Sequence, residues 1–258
     1  FATSAIPSRG VDGEWQLSAG PDWAQGRTLF GGLVAANVAS AMTKLVEPDL
    51  QLRTLSLVMA GPINPGTAQI QTTLDRTGSA TAFTAATVSQ AGSVRTRAQA
   101  VFARTRDSAI EVIPQMGALD NTFDESPLLP YLEGIVPVCM QHFEIRWGLG
   151  DFPFSGSQRT SLGGYCRHQE PALGIEAVIG LLDCWPPAVL PMAAGPAAAS
   201  TVSWTAHILR EPPADPTAWY SFRYDTIAAE QGYATIVGTL SHDGDVVAWT
   251  EQLVAVYA

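Results

Sequence analysis

A chain of 258 residues suffices for one large domain or two of about 130, each able to bury a core. Hydrophobic residues make up 47% and charged residues 15%, which excludes a disordered chain. The net charge of −10, with Lys44 the single lysine, excludes a nucleic-acid surface built from clustered basic side chains.

Residues 13–19 alternate well enough for a short strand. Gly26 to Met42 reads as a turn opening at Gly31-Gly32 into a helix with almost no polar side, offering water only Asn37, Ser40 and Thr43. A surface helix keeps a charged face, so this one is expected to be wrapped by other structure and to end near Glu47-Pro48. Strands are expected at Leu52–Met59, Ala68–Leu74, Ala80–Ser89 and Val94–Ala103, punctuated by Gly- and Pro-rich turns. From 107 to 137, acidic residues and prolines erase the periodicity, as in a linker.

The second half repeats the plan. Strands are expected at Gln141–Trp147 and Thr160–Gln169, then an apolar helix from Pro171 to Trp185 closed by Pro186-Pro187. Four strands follow at Ser200–Leu209, Trp219–Ile227, Tyr233–Ser241 and Val246–Tyr257. The order of elements reads as a tandem duplication, and two such sheets pair most simply edge strand to edge strand.

No apolar run approaches the roughly 20 residues that span a bilayer, and no leader pattern opens the chain, so membrane insertion is not expected. Cys139, Cys166 and Cys184 form no C-x-x-C pair, so neither a zinc site nor a disulfide framework is expected. A reducing, cytoplasmic setting follows. There is no nucleophile elbow, phosphate-binding loop, H-E-x-x-H or dinucleotide fingerprint. His142, His168, His207 and His242 lie apart and none is expected beside a helix with an acidic partner. Cys184 has no basic neighbour to activate it and reads as a structural thiol.

Leu29-Phe30-Gly31-Gly32 entering an apolar helix resembles the opening of the acyl-CoA thioesterase II family. Gly244-Asp245-Val246-Val247-Ala248-Trp249-Thr250-Glu251-Gln252 is similar to that family's G-x-L-V-A-x-x-x-Q strand, and Thr201 opens a strand ending in Arg210 and a proline turn. The resemblance implies an α+β double hotdog: an N-terminal hotdog over 1–106, a linker over 107–137 and a C-terminal hotdog over 138–258, each a curled antiparallel sheet around a helix. It also implies hydrolysis of acyl-CoA to free acid and coenzyme A in lipid metabolism, without a metal or redox cofactor. Hotdog relatives commonly pair through their sheets, so a homo-oligomer is an expected partner state.

The family's water-holding Asp, hydroxyl residue and Gln map to Asp183, Thr201 and Gln252. The residue types suit this chemistry, with Asp183 taking the proton of a water that Thr201 and Gln252 orient. Amides at the glycine-led helix start, Gly31 and Gly32, supply oxyanion donors. Arg27 and Arg76 are candidates for the coenzyme phosphates, although each also reads as an ordinary solvated charge. Thr201 shares an alternation face with Ser203 and Thr205, the pattern of a wetted sheet, and Gln252 lies among valines where cross-sheet hydrogen bonding is the competing role. A non-catalytic acyl-CoA or lipid-binding protein, or a hotdog hydratase or dehydratase, remains the alternative.

Overall fold

The computed structural model describes residues 1–10 and 14–257; Gly13, where the first strand is expected to begin, and Ala258 lie outside them. In chain order the strands are β1 (Ser8–Arg9), β2 (Trp15–Ala19), β3 (Ala24–Gln25) and β4 (Thr28–Leu29). Helix α1 (Gly31–Thr43) precedes β5 (Gln51–Met59), β6 (Gly66–Thr77), β7 (Thr81–Gln90) and β8 (Ser93–Ala103). The second half holds β9 (Phe143–Leu149), β10 (Ser161–His168), α2 (Gly174–Leu181), β11 (Ala198–Ile208), β12 (Tyr220–Glu230), β13 (Tyr233–His242) and β14 (Asp245–Tyr257).

Among the described residues, all the strands apart from the small β3–β4 hairpin join one antiparallel sheet of twelve, ordered β1-β2-β6-β7-β8-β5-β11-β14-β13-β12-β10-β9. The two halves are therefore not separate sheets. They fuse where β5 pairs with β11, which satisfies backbone groups that two open edges would leave exposed. Along this seam Leu55 and Leu57 of β5, and Trp204, Ala206 and Ile208 of β11, face the core. The other face carries polar cross-strand pairs: Ser56 with Thr205 and Thr54 with His207, each at 3.1 Å.

Every residue of α1 from Gly32 to Met42 is buried. The helix packs on β2, β5, β6, β7 and β8 and against α2, as its missing polar face demands. Asn37 is tolerated inside because its amide donates to the carbonyls of Leu33 and Ser4.

Both helices are shorter than their apolar runs. The first stops at Thr43, whose hydroxyl bonds back to the carbonyl of Ala39, and looser turns carry the chain to Val46. The second begins only at Gly174, with φ +84°, after Leu173 in extended backbone, and the Ala172 amide donates to the carbonyl of Pro216. It ends at Leu181, so Asp183 sits in the turn beyond the helix rather than on it.

The stretch expected as a linker is also tied down in part. Leu129 donates to the carbonyl of Ile145, and Trp147 donates to that of Pro127, so this stretch lies along β9. It covers what would be an open sheet edge. Among the described residues, no helix is long and apolar enough to cross a membrane.

Candidate active site

Alternation along β14 places Thr250, Gln252 and Val254 on the buried face. Gln252 is 3% exposed, and a carboxamide at such a depth must find partners for both its oxygen and its two N–H groups. It finds three. The Thr201 hydroxyl donates to Oε1 at 2.9 Å, while Nε2 donates to Asp183 Oδ1 at 2.9 Å and to the Tyr224 hydroxyl at 3.0 Å.

Thr201 reaches Gln252 because β11 is bulged. Thr201 pairs with Val254 but Ser203 pairs with Leu253, so two residues of β11 oppose one step of β14. A bulge reverses the alternation on one side of it. Thr201 thereby leaves the face of Thr205 and joins the face of Trp204, which is 1% exposed. The wetted-face reading of Thr201 is corrected by that single extra residue.

Asp183 retains some solvent contact as a residue, while its carboxyl group is enclosed by protein. Burial raises its pKa to about 6, against the lowering effect of two donors, the Gln252 amide and the Gly32 backbone N–H. Removal from water wins over both hydrogen bonds because no cation contributes to the balance. The other titratable groups facing it are Cys139, Cys184 and Tyr224. Burial first, and the Asp183 charge second, push the Cys139 thiol up to about 12, and both likewise hold the Tyr224 phenol neutral. Burial and the neighbouring Cys166 keep Cys184 protonated, and its thiol donates to the Leu181 carbonyl. All three cysteines are free and buried.

The start of α1 closes the site from the first half. A Cβ added to Gly31 would meet Asp183 Oδ2 at 2.8 Å and Met59 Cε at 3.2 Å. One added to Gly32 would meet the Phe30 ring at 2.6 Å and Asp183 Cβ at 3.2 Å. A side chain at either place would have to displace the Asp183 side chain and, at Gly32, the Phe30 ring. The Gly32 N–H is already directed at the carboxylate. Gly31, at the first helical position, has an N–H with no acceptor inside the helix.

The remaining expected residues separate. Arg27 is exposed in the β3–β4 turn, four positions before Gly31, and this hairpin is tied to the 61–65 loop by the Leu29 N–H to Ile63 carbonyl bond. Arg76 lies near the end of β6 that is remote from this loop, ten residues from Gly66, or about 30 Å along a strand.

Contrary to expectation, one histidine has an acidic partner near α1. His142 Nε2 lies 3.1 Å from Asp22 Oδ2, and its ring stacks on Trp23 at 3.7 Å. His168 is buried against the Ala177 carbonyl, and burial lowers its pKa to about 4. Among the described residues, no group of acidic, His and Cys side chains has the arrangement of a metal site. Tyr224, whose hydroxyl contacts Gln252, escapes sequence reasoning because an aromatic on an alternating strand reads simply as core.

Comparison with known proteins agrees with this architecture. A family model described as the acyl-CoA thioesterase C-terminal domain matches residues 114–256, and one for the acyl-CoA thioesterase N-terminal domain matches residues 19–103. No curated protein matches the chain. Among solved structures, a hot-dog-fold protein of unknown function from Alicyclobacillus acidocaldarius is 25% identical with a TM-score of 0.84, covering 99% of this chain and 97% of that one. An acyl-CoA thioesterase II from Mycobacterium marinum is 16% identical with a TM-score of 0.77, covering 98% and 97%. A tesB protein of Mycobacterium avium subs. paratuberculosis is 12% identical with a TM-score of 0.80, covering 99% and 98%. With one family model spanning residues 114–256 and its companion most of the rest, the chain belongs to the acyl-CoA thioesterase family.

Proposed function

We propose that this protein hydrolyses acyl-CoA thioesters to a free acid and coenzyme A through a water held by Asp183, Thr201 and Gln252. The supporting observation is the unbroken hydrogen-bonded chain Thr201–Gln252–Asp183 beside the glycine-led start of α1. The water oxygen attacks the thioester carbonyl carbon as Asp183 accepts its proton. Negative charge moves to the carbonyl oxygen, which the Gly31 N–H and the positive end of α1 stabilise; the Gly32 N–H serves the carboxylate instead. Collapse breaks the carbon–sulfur bond, and the departing thiolate recovers the proton from Asp183. A carboxyl pKa near 6 suits this exchange: it is a stronger base than an ordinary carboxylate, yet ionised at neutral pH.

Arg27 is assigned to the coenzyme phosphates and the apolar inner faces to the acyl chain. Arg27 is preferred to Arg76 in this role because it lies four positions before Gly31. A cytoplasmic homo-oligomer completes the proposal.

The His142–Asp22 pair is the one observation that favours a hydratase or dehydratase instead. Thiol release from a panel of acyl-CoAs separates the readings. Turnover abolished by Asp183→Ala and Gln252→Ala, and reduced more by Thr201→Val than by Thr201→Ser, supports the hydrolase. Loss of enoyl absorbance without thiol release, dependent on His142, indicates the hydratase. Tight binding without turnover indicates a binding protein.

A further inference from the structure

Tyr224 is 1% exposed. Its hydroxyl donates to the Leu182 carbonyl at 2.8 Å and accepts from Gln252 Nε2 at 3.0 Å. The donor direction is not a matter of choice, since a carbonyl can only accept. With its one proton committed to Leu182, the phenol can only accept from Gln252, and so selects the nitrogen end of the amide. The same residue therefore ties the strand carrying Gln252 to the turn carrying Asp183, one residue beyond Leu182.

The fold makes room for this. Tyr224 on β12 and Gln252 on β14 are separated by β13, and the residue of β13 paired with Tyr224 is Gly238. A Cβ on Gly238 would collide with the Tyr224 ring, 2.6 Å from Cδ1, and would lie 2.7 Å from Thr250 Cγ2. The ring thus crosses β13 over a position without a side chain. The Phe222 ring packs against its edge, with centroids 4.5 Å apart at 72°.

We propose that Tyr224, laid across Gly238, is a positioning residue that holds the Gln252 amide in its working orientation while Asp183 carries the proton taken from water. The role rests on the hydrolytic reading above. An ionised Asp183 draws the amide nitrogen toward itself unaided. Once protonated, it can donate to the amide oxygen equally well, and the amide is then free to turn. Turning would carry Oε1 away from the Thr201 hydroxyl and unmake the water site before product leaves. Only the tyrosine, whose own proton is committed elsewhere, opposes the turn in both states of Asp183. The groups facing that carboxyl are Cys139, Cys184, Tyr224, the Gln252 amide and the Gly32 N–H, and none of them is a cation.

Tyr224→Phe keeps the ring and removes the hydroxyl, whereas Gly238→Ala keeps the hydroxyl and displaces the ring. Each variant is to be assayed for kcat and KM across pH, and titrated by carbon-13 NMR of the Asp183 carboxyl. Both are expected to lower kcat by about 10- to 100-fold with KM within about twofold. Both should raise the Asp183 titration by about one pH unit, because a turned amide accepts from the neutral carboxyl. A fall in melting temperature with unchanged kcat and unchanged Asp183 titration overturns the proposal, as does no change in any measurement. If the wild type releases no thiol, the hydrolytic reading fails by itself, and the Asp183 titration in the two variants still decides whether Tyr224 sets the amide.

Discussion

A Cβ on Gly31 would stand 2.8 Å from Asp183 Oδ2, so the first residue of the helix in one half and the carboxylate of the other leave no room for a methyl group. The site belongs to neither half alone. Gly31→Ala should cut kcat by about 100-fold, the scale of a displacement near 1 Å. The helix-propensity gain from alanine, about 1 kcal/mol in a helix interior, is smaller at this first helical position and does not offset the clash. Falling activity with a lowered melting temperature is the expected pair of results, because the methyl group must displace the Asp183 carboxyl and the Met59 tip; thiol release and calorimetry read them.

The pH dependence follows from the carboxyl pKa of about 6. Asp183 must be ionised to take a proton, so kcat/KM should rise with pH and level off above about pH 7, with its acid limb centred near 6. A limb centred near 4 would show that Asp183 titrates as an ordinary carboxylate and is not held as described.

Stability should move the opposite way. The Asp183 pKa is raised on folding, so its contribution is fully present below 3.8 and is lost as pH rises through about 6. The rise from 3.8 to about 6 corresponds to at most about 3 kcal/mol. Denaturant unfolding of the wild type and Asp183→Asn at pH 4 and pH 7.5 isolates the group, since the other titrations cancel in the difference. The wild type should lose stability relative to the variant between the two pH values, while the variant is inactive at both.

Arg27→Ala should raise KM for acyl-CoA severalfold, an effect that shrinks as salt screens the interaction. Arg76→Ala, altered about 30 Å along β6 from the end near the hairpin, should leave KM within about twofold. Equal effects from both substitutions would contradict the phosphate assignment to Arg27.

Much of this was legible in the chain. The enclosed helix announces itself by having only Asn37, Ser40 and Thr43 as polar residues, and the strands on either side of the Gly/Pro turns follow from alternation. The pairing of an acid, a hydroxyl and an amide rested on family resemblance, since no local pattern joins Asp183, Thr201 and Gln252 across 69 residues.

What the chain alone could not supply are the features that depend on neighbouring strands. Thr201 looked solvent-facing because periodicity counts residues, whereas the bulge that turns it inward exists only against β14. Nothing in the sequence singles out Tyr224, because its hydroxyl finds a partner in Gln252 only across Gly238, two strands away. Arg76 resembled Arg27 in sequence because both sit near turns, and only the course of β6 separates them. Composition and period determine which elements form and which face is apolar, because those depend on residues adjacent in the chain. Register, bulges and close approaches decide which polar groups meet, because those are settled between segments far apart in it.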